Sequence, residues 1–429
     1  MRNWARTVQF EPAARARPAD EAEIQRALRG RPGPVRAVGA IHSWSPVMAT
    51  EGLCLGLDRM CGLVEVDRDA GLARVRAGTR LKDLNAALDR EGLALPVLGS
   101  IAEQSLAGAT STGTHGSSMR WGALHTLIQG LRLVDGQGEV RVLGPDHPDL
   151  PAARLSLGLL GVLSELTMQV VPAFRLVEEL SQEPLERVAA DLPEIARSAE
   201  WVKLWWLPHT DRVMVFRYHR AEPAESGKEQ GALVRWADQR ILNDFIFNGI
   251  LKLGAAVPAW VGPLSRLVLP IGFAPRRRVG RSDRMFNIAM PPRHFETETA
   301  VPLKAAGPAL AELHRRLEAA RIRVNFVLEL RFSPPDDTWL SGAYGRDTCH
   351  FGAYIAGLTP RDTRMRDRYF QLVWDLLAAH DPRPHWGKQL EAPRGLIPRR
   401  PRGAEFLALR ERYDPEGRFL NPTLLAALG

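Results

Sequence analysis

Glu329 and Arg331 are the two charged side chains of a mainly apolar stretch, residues 325–332 (NFVLELRF). Alternate side chains of a strand point to opposite faces, so this carboxylate and this guanidinium share one face and can bind a polar ligand together. The other face then carries four apolar side chains, Phe326, Leu328, Leu330 and Phe332. Spacing alone favours the simpler interpretation, an ion pair on a solvated face.

Lys388 is a second candidate, because it is one of only six lysines and follows a Trp-Gly turn in residues 384–388 (PHWGK). After such a turn its side chain can point inward. A lone lysine is normally solvated, however, so the position alone does not single it out.

A glycine-rich segment, residues 95–118 (LPVLGSIAEQSLAGATSTGTHGSS), is the main candidate for binding a ligand through the backbone. Glycines among small residues let a backbone approach a ligand closely and offer N–H groups to phosphate. The alternative is a flexible Gly/Ser loop, although such loops are usually polar tips and this one has apolar flanks. The segment, called the cradle below, is neither a Walker loop nor a G-x-G-x-x-G entry to a helix.

A short apolar strand, a turn at Gly39 and then His42 and Ser43 follow one another in residues 35–46 (VRAVGAIHSWSP). The elements around it alternate between strands and helices. Residues 18–28 predict a helix capped by Asp20 and Glu23, residues 62–77 two strands, residues 79–91 a helix closed by Gly92, and residues 131–143 a hairpin. This pattern predicts an α+β domain that ends near residue 172.

The second part of the chain predicts a further sheet with helices. Residues 184–198 read as a helix, and residues 201–207 (WVKLWWL) and 212–219 as a hairpin whose tryptophans are aromatic core rather than ligand contacts. Residues 300–320 predict an amphipathic helix, 322–332 the strand of Glu329, 348–356 a further strand and 361–379 the last long helix.

Composition narrows the functional class. The chain has 57 Lys and Arg against 49 Asp and Glu, a net charge of +8, and most of its positive charge is spread arginine, which supports nucleic-acid binding only weakly. The N-terminus lacks the apolar region of a secretory signal and no apolar run is long enough to span a bilayer, so we expect a cytoplasmic protein. Residues 241–281 combine an apolar stretch with arginines and could instead touch an anionic membrane surface.

Four stretches in order carry a family resemblance: residues 35–46, the cradle, WWLPHTD at 205–211, and HWGK at 385–388 followed by YDPEGRFLNP. The first two resemble the FAD domain of the vanillyl-alcohol-oxidase superfamily. Together the four resemble the sugar-1,4-lactone oxidase family, which contains gulonolactone, arabinonolactone and galactonolactone oxidoreductases and has alditol oxidases as close relatives.

The resemblance implies FAD, attached covalently through His42, although a histidine there could also contact flavin without a bond. The positions it assigns to cofactor binding are Gly39, Ile41, His42, Ser43, Gly99, Ser100, Ser105, Gly108, Thr112, Gly113, Thr114 and Gly116. The catalytic positions it implies are Glu329, Arg331 and Lys388. Arg331 and Lys388 would stabilise charge on the substrate oxygen, and Glu329 would hold them and bind a substrate hydroxyl. His115 is expected to be structural, and so is His350, for which a further contact in the active site is the alternative.

We therefore expect a two-domain α+β flavoprotein of the vanillyl-alcohol-oxidase type. Residues 1–172 would form the FAD domain, residues 173–380 a cap domain with an antiparallel sheet, and residues 381–429 a segment that returns to the FAD domain. The expected reaction is oxidation of a sugar 1,4-lactone with oxygen as acceptor. Alditol oxidation is the alternative within enzymes, and a basic protein that binds nucleic acid or anionic membranes is the alternative from another class.

Overall fold

The computed structural model describes residues 1–224, 248–288, 293–356, 360–391 and 394–429. The first ten strands are β1 (Ala14–Ala16), β2 (Val35–Val38), β3 (Leu53–Gly56), β4 (Leu63–Asp67), β5 (Leu72–Arg76), β6 (Leu93–Ala94), β7 (Ile128–Val134), β8 (Val140–Leu143), β9 (Val162–Gln169) and β10 (Val171–Pro172). They form a parallel sheet of order β1-β3-β2, an antiparallel sheet of order β4-β5-β9-β7-β8, and a short β6-β10 ladder.

The remaining strands form one sheet of eight, ordered β14-β11-β13-β12-β16-β17-β15-β18 with every pair antiparallel. They are β11 (Arg175–Pro184), β12 (Trp201–Trp206), β13 (Arg212–Arg220), β14 (Arg276–Arg281), β15 (His294–Pro302), β16 (Leu328–Ser333), β17 (Thr348–Ala356) and β18 (Arg383–Pro384). The predicted α+β class and the predicted antiparallel sheet are therefore confirmed.

Helices cover both parts of the described chain. They are α1 (Glu21–Arg29), α2 (Leu81–Arg90), α3 (Leu106–Ser111), α4 (Leu150–Ala153), α5 (Leu185–Ala190), α6 (Leu192–Ala196), α7 (Asn248–Ala256), α8 (Val261–Gly272), α9 (Ser282–Phe286), α10 (Leu303–Ala319), α11 (Pro360–Leu377), α12 (Gly403–Tyr413) and α13 (Pro422–Leu428). Among the helices so described, none is both long and apolar enough to cross a membrane.

Several predicted elements have different bounds. The capping contact at Asp20 is present, since its side chain accepts from the Glu23 N–H at 2.7 Å. The predicted helix over residues 184–198 is wrong as a single element, because α5 and α6 are separate and Asp191 stands between them. The predicted helix over residues 300–320 starts too early, because its first residues belong to β15. Residues 241–247 of the apolar stretch lie outside the described residues.

The eight-stranded sheet has two different faces. Leu328, Leu330 and Phe332 of β16 point into an apolar core formed with α5, α6, α10 and α11. Phe326 was predicted to share that face, but it precedes β16 and its ring lies 5.6 Å from Tyr354, in a different cluster. The opposite face carries buried charged residues and is turned toward the cradle, with which it shares hydrogen bonds.

The C-terminal residues pack into the core of the N-terminal sheets. Phe406, Tyr413, Phe419 and Leu424 belong to the same apolar cluster as the strands of residues 35–169. Arg36 of β2 joins the two regions, because its buried guanidinium donates to the Phe419 carbonyl at 2.7 Å.

Candidate active site

The end of β2 meets the cradle so closely that neither side has room for a larger residue. A Cβ placed on Gly39 would lie 1.8 Å from Ser105 Oγ, and one on Gly108 would lie 2.8 Å from the same oxygen. Ser105 Oγ is buried and has no hydrogen-bond partner in the part of the chain that the structure describes. A tightly apposed glycine surface with an unsatisfied hydroxyl fits a ligand with phosphate or hydroxyl oxygens, as FAD has.

The remaining cradle positions shape this surface mainly through the backbone. Gly116 is required by packing, since a Cβ there would lie 2.4 Å from Val97 Cγ2, and Gly113 has φ of +83°. The side chain of Thr112 donates to the Gly108 carbonyl at 3.0 Å, and that of Thr114 accepts from Gln104 at 3.2 Å. A Cβ on Gly99 would lie 3.0 Å from Thr114 Cγ2.

The loop of His42 is joined to the loop of Lys388, at the other end of the chain. The Trp44 N–H donates to the Gly387 carbonyl at 2.7 Å, and Ser45 Oγ donates to the Trp386 carbonyl. Lys388 Nζ lies 4.7 Å from the centre of the Trp44 ring, a cation–π contact. Two motifs that resemblance alone had connected are therefore neighbours in space.

The His42 imidazole is partly buried and lies against the Trp4 ring, with 6.2 Å between centroids. Burial lowers the pKa of His42 to about 4, and the positive charges of Arg80 and Lys388 act in the same direction. Within the described ranges, no hydrogen bond engages its ring. The side chain is therefore a neutral imidazole at pH 7 with a free nitrogen lone pair. Ile41, just before it, has φ of +55°, and the Ser43 carbonyl accepts from Asn3 at 2.9 Å.

Glu329 and Arg331 form a buried ion pair, with 2.8 Å between Oε2 and Nη2. Glu329 also accepts from Trp205 Nε1 at 2.7 Å and from the Tyr354 hydroxyl at 2.9 Å. Burial opposes the charge on Glu329, but Arg331 and Lys203 outweigh it and lower its pKa. The interpretation as a solvated surface pair is therefore wrong, because the pair is covered. The sequence alone does not show which face of a sheet becomes covered by another part of the chain.

Arg331 connects this pair to the cradle. Its Nη2 donates to Ser100 Oγ at 2.5 Å and its Nη1 to the His115 carbonyl at 3.2 Å. Its Nε is buried without a hydrogen-bond partner among the described residues. The guanidinium thus lies between the sheet and the cradle with one donor still available.

Lys388 points inward, but its partner is not the predicted one. Its Nζ lies 2.5 Å from Glu296 Oε1, whereas Glu329 was expected to hold it. Burial opposes the charge on Glu296, yet Lys388 and His294 outweigh it and lower the pKa of Glu296 to about 2. The sheet face therefore presents two separate ion pairs, one on β16 and one that joins β15 to residue 388.

A third buried group lies beside them on the same face. His115 Nε2 is 2.5 Å from Glu298 Oε1, and His115 Nδ1 is 2.8 Å from the Gly116 carbonyl. His115 is thus held by hydrogen bonds at both ring nitrogens, one of them to a buried carboxylate. Burial opposes the charge on Glu298, but His115 holds its pKa well below the usual value.

His350 completes this group but does not make it a metal site. Ligand atoms of His115, Glu298 and His350 lie within 4.8 Å of one another. The two imidazole rings, however, are stacked with centroids 3.7 Å apart and 21° between planes. Metal-binding lone pairs lie in the ring plane, so rings stacked in this way cannot both point at one ion.

Sequence reasoning missed Glu296, Glu298 and Trp205. All three tryptophans of this strand were assigned to the aromatic core. That is correct for Trp201 and Trp206, but the indole N–H of Trp205 donates to Glu329. The available signal for the two carboxylates was their spacing in residues 294–302 (HFETETAVP), which places both on one strand face.

Two cavities differ in their relation to these residues. The larger, about 740 Å³, is an open groove on β5, β7, β8 and β9 and contains none of the predicted site residues. The smaller, about 20 Å³, lies between sheet and cradle and is lined by Ser100, Gly116, Lys203 and Arg331 among others. Of the three predicted catalytic residues, Arg331 lines the small cavity, together with Ser100 and Gly116 of the cradle.

Comparison with known proteins agrees with this arrangement. Residues 166–426 match the family model described as D-arabinono-1,4-lactone oxidase, and residues 12–144 match one described as FAD binding domain. The L-gulono-1,4-lactone dehydrogenase of Mycobacterium tuberculosis is 32% identical over 438 residues, which cover 100% of this chain and 98% of that protein. The L-gulonolactone oxidase of Scyliorhinus torazame is 30% identical, with 98% and 96% covered.

Among solved structures, cholesterol oxidase from Brevibacterium sterolicum superposes with a TM-score of 0.82 over 100% of this chain and 96% of that chain. Its sequence identity is 16%. At this identity the likeness shows the two-part fold alone.

Proposed function

Because the chain belongs to the D-arabinono-1,4-lactone oxidase family, we propose that it is an FAD-dependent oxidoreductase that oxidises a hydroxyl-bearing carbon of a sugar 1,4-lactone. The observation that carries this conclusion is the pair of buried ion pairs, Glu329–Arg331 and Glu296–Lys388, on the sheet face that meets the cradle. The family membership favours an enzyme over the alternative of a basic binding protein. The arginine cluster at residues 276–278 is also paired with carboxylates, since each of its arginines lies within 3.6 Å of Glu178 or Glu179. Its positive charge is thus partly neutralised within the protein.

The cofactor and the site residues would have different roles in the oxidation. Bound FAD would supply the acceptor for the hydride that leaves the substrate carbon. Arg331 and Lys388 would stabilise negative charge on the substrate oxygen, because both are cations with little exposure, 12% and 20%, and such charges act strongly where water is excluded. Glu329 would orient the substrate by accepting from a hydroxyl while Trp205 and Tyr354 fix its carboxylate.

His42 and the cradle would hold the cofactor. The contact between Gly39 and Ser105, with its unsatisfied Oγ, supports cofactor binding at the cradle. We propose a covalent bond from the His42 imidazole, which the neutral form supports because a protonated ring has no lone pair to offer.

An absorption spectrum tests both proposals at once. We expect purified protein to be yellow, and the colour to stay with the pellet after acid precipitation. His42→Ala should release the colour to the supernatant, whereas His219→Ala, which alters a half-exposed histidine of β13, should not. Colour in the wild-type supernatant would refute the covalent bond, and a protein that takes up no flavin would refute the function.

The acceptor and the substrate need separate experiments. We propose oxygen as acceptor, so reduced enzyme should reoxidise in aerated buffer, and a requirement for an artificial acceptor would contradict this. Alditol oxidation is the second candidate, because the same carboxylate and cations could bind a polyol hydroxyl. Steady-state rates on L-gulono-1,4-lactone against xylitol and sorbitol separate the two.

We also propose a peripheral membrane contact through the described part of residues 241–281. Trp260, Leu267 and Ile271 are exposed, with Ile271 at 71% of its free surface, and α8 carries the last two on one side. The protein should then sediment with vesicles of anionic lipid, and replacing these three residues by serine should abolish sedimentation. Equal sedimentation of both forms would refute the contact.

A further inference from the structure

Lys203 is a buried lysine at the centre of the site face. In the register of the sheet it stands opposite Arg331 of β16 on one side and Phe216 of β13 on the other. Residues paired across neighbouring strands share a face, so Lys203 lies on the face that carries Glu329 and Arg331. Only 9% of it is exposed.

The ammonium group of Lys203 has ring contacts but no hydrogen bond to any residue that the structure describes. Its Nζ lies 4.9, 5.0 and 5.7 Å from the ring centres of Trp205, Phe216 and Tyr218. Cation–π contacts favour the charged form but leave the three N–H donors without an acceptor. The residue is only 9% exposed, so its ammonium has little access to water and can donate to a ligand that the protein does not itself supply.

Among the described residues Lys203 forms no ion pair, and each nearby carboxylate is in direct contact with another side chain. The contacts are Glu329 with Arg331 at 2.8 Å, Glu296 with Lys388 at 2.5 Å, Glu298 with His115 at 2.5 Å, and Glu178 with Arg278 at 2.7 Å. Lys203 is thus a cation of this face with no carboxylate of the described residues at direct-contact distance.

The cavity beside Lys203 limits what the ligand can be. It measures about 20 Å³, room for roughly one water-sized atom. Lys203 and Arg331 can only donate, and the Tyr218 hydroxyl is already committed to Glu178 at 3.0 Å. An oxygen that only accepts fits such a site better than a hydroxyl, whose own hydrogen would need a further acceptor.

We propose that Lys203 is an additional ligand-binding residue whose ammonium donates to a carbonyl oxygen in this cavity. Two molecules of the proposed reaction carry such an oxygen: the lactone through its ring carbonyl, and bound FAD through its pyrimidine carbonyls. The inference rests on the proposed function and extends it to a residue on β12.

The experiment uses the FAD-loaded enzyme with Lys203→Met and the matched control Lys304→Met, which alters an exposed lysine of α10. The probe is γ-butyrolactone, a 1,4-lactone without a hydroxyl to oxidise, titrated against the flavin absorption spectrum. Tetrahydrofuran, the same ring without the carbonyl, is the control ligand. The two-electron reduction potential of the flavin is measured on the same samples.

If the lactone carbonyl is the ligand, Lys203→Met should raise the dissociation constant of γ-butyrolactone about tenfold or more, as for loss of a charged hydrogen bond, and leave tetrahydrofuran and the potential unchanged. If the pyrimidine carbonyl is the ligand, affinity should stay and the potential should fall by about 30 mV, a tenfold effect for two electrons. Lys304→Met should change neither quantity.

Unchanged affinity and unchanged potential in Lys203→Met would overturn the inference, since the cavity would then hold only water. Should Lys203→Met fail to retain FAD, Lys203→Gln keeps an uncharged NH2 donor and should give an intermediate change in whichever quantity, affinity or potential, depends on Lys203. Turnover of L-gulono-1,4-lactone by the wild type is measured separately. Failure of the proposed function would therefore appear as no wild-type turnover, whereas failure of this inference would appear as a silent Lys203 substitution.

Discussion

Replacing Lys388 by methionine removes the partner of a carboxylate that cannot reach water. Glu296 is 2% exposed, and its pKa of about 2 stands against an ordinary value of 4.5. At about 1.4 kcal/mol per pKa unit, the ionised carboxylate contributes about 3 kcal/mol to folding at neutral pH. Breaking a buried ion pair by removing one member costs about 3 to 5 kcal/mol in other proteins, which is consistent.

The pH dependence has a definite sign. The pKa of Glu296 is depressed by folding, so its contribution is complete above about pH 4.5 and disappears as the pH falls toward 2. In urea denaturation at pH 7, the free energy of unfolding of Lys388→Met should therefore be about 3 kcal/mol lower than that of the wild type. This difference in stability should become smaller at acid pH. The double variant Lys388→Met with Glu296→Gln should regain most of the stability, because no buried charge is left unpaired.

Activity should behave differently from stability. Anaerobic flavin reduction by L-gulono-1,4-lactone, followed by stopped flow, should slow by about 10² or more in both variants while FAD stays bound. The matched control is Lys82→Met, which breaks an exposed pair with Glu103 and should cost at most about 1 kcal/mol and no activity. A double variant as unstable as the single one would refute the ion-pair reasoning, and an unchanged reduction rate would remove Lys388 from the mechanism.

Three further outcomes are expected. Glu329→Gln should lower the rate of flavin reduction by about 10² or more without loss of FAD, and a fully active variant would refute the placement of the site. Tyr354→Phe removes only one of three donors to that carboxylate and should slow reduction about tenfold at most in the same assay; a larger loss would give the hydroxyl a role of its own. Gly39→Ala should abolish FAD retention, measured by absorbance after gel filtration, because its Cβ would lie 1.8 Å from Ser105 Oγ, whereas Gly144→Ala has open space and should retain FAD.

The sequence predicted the parts of the site that depend on local geometry. The period of two in residues 328–333 correctly placed Glu329 and Arg331 on one face, because strand geometry fixes side-chain direction. The glycines likewise pointed to the cradle as a closely packed segment, since a Cβ on Gly116 would lie 2.7 Å from the Leu98 carbonyl oxygen.

The parts that depend on tertiary packing could not be predicted. Strand β15 is buried on both faces, so it lacks the alternation of apolar and polar residues that reveals a half-exposed strand. Glu296 and Glu298 were therefore missed, and Lys388 was assigned to Glu329. Phe326 was misplaced for a related reason: the backbone leaves the strand before residue 328, and alternation cannot show where that happens.

The hydrogen bond between Trp44 and Gly387 has a consequence for how the protein is made. During synthesis the ribosome releases the His42 loop more than three hundred residues before the loop that contacts it and the residues that fill the N-terminal core. This part of the fold therefore cannot be complete until residues 386–424 have been made. Contacts so distant in sequence form late and slowly, and a chain that stops before these residues leaves apolar surface exposed and prone to aggregate.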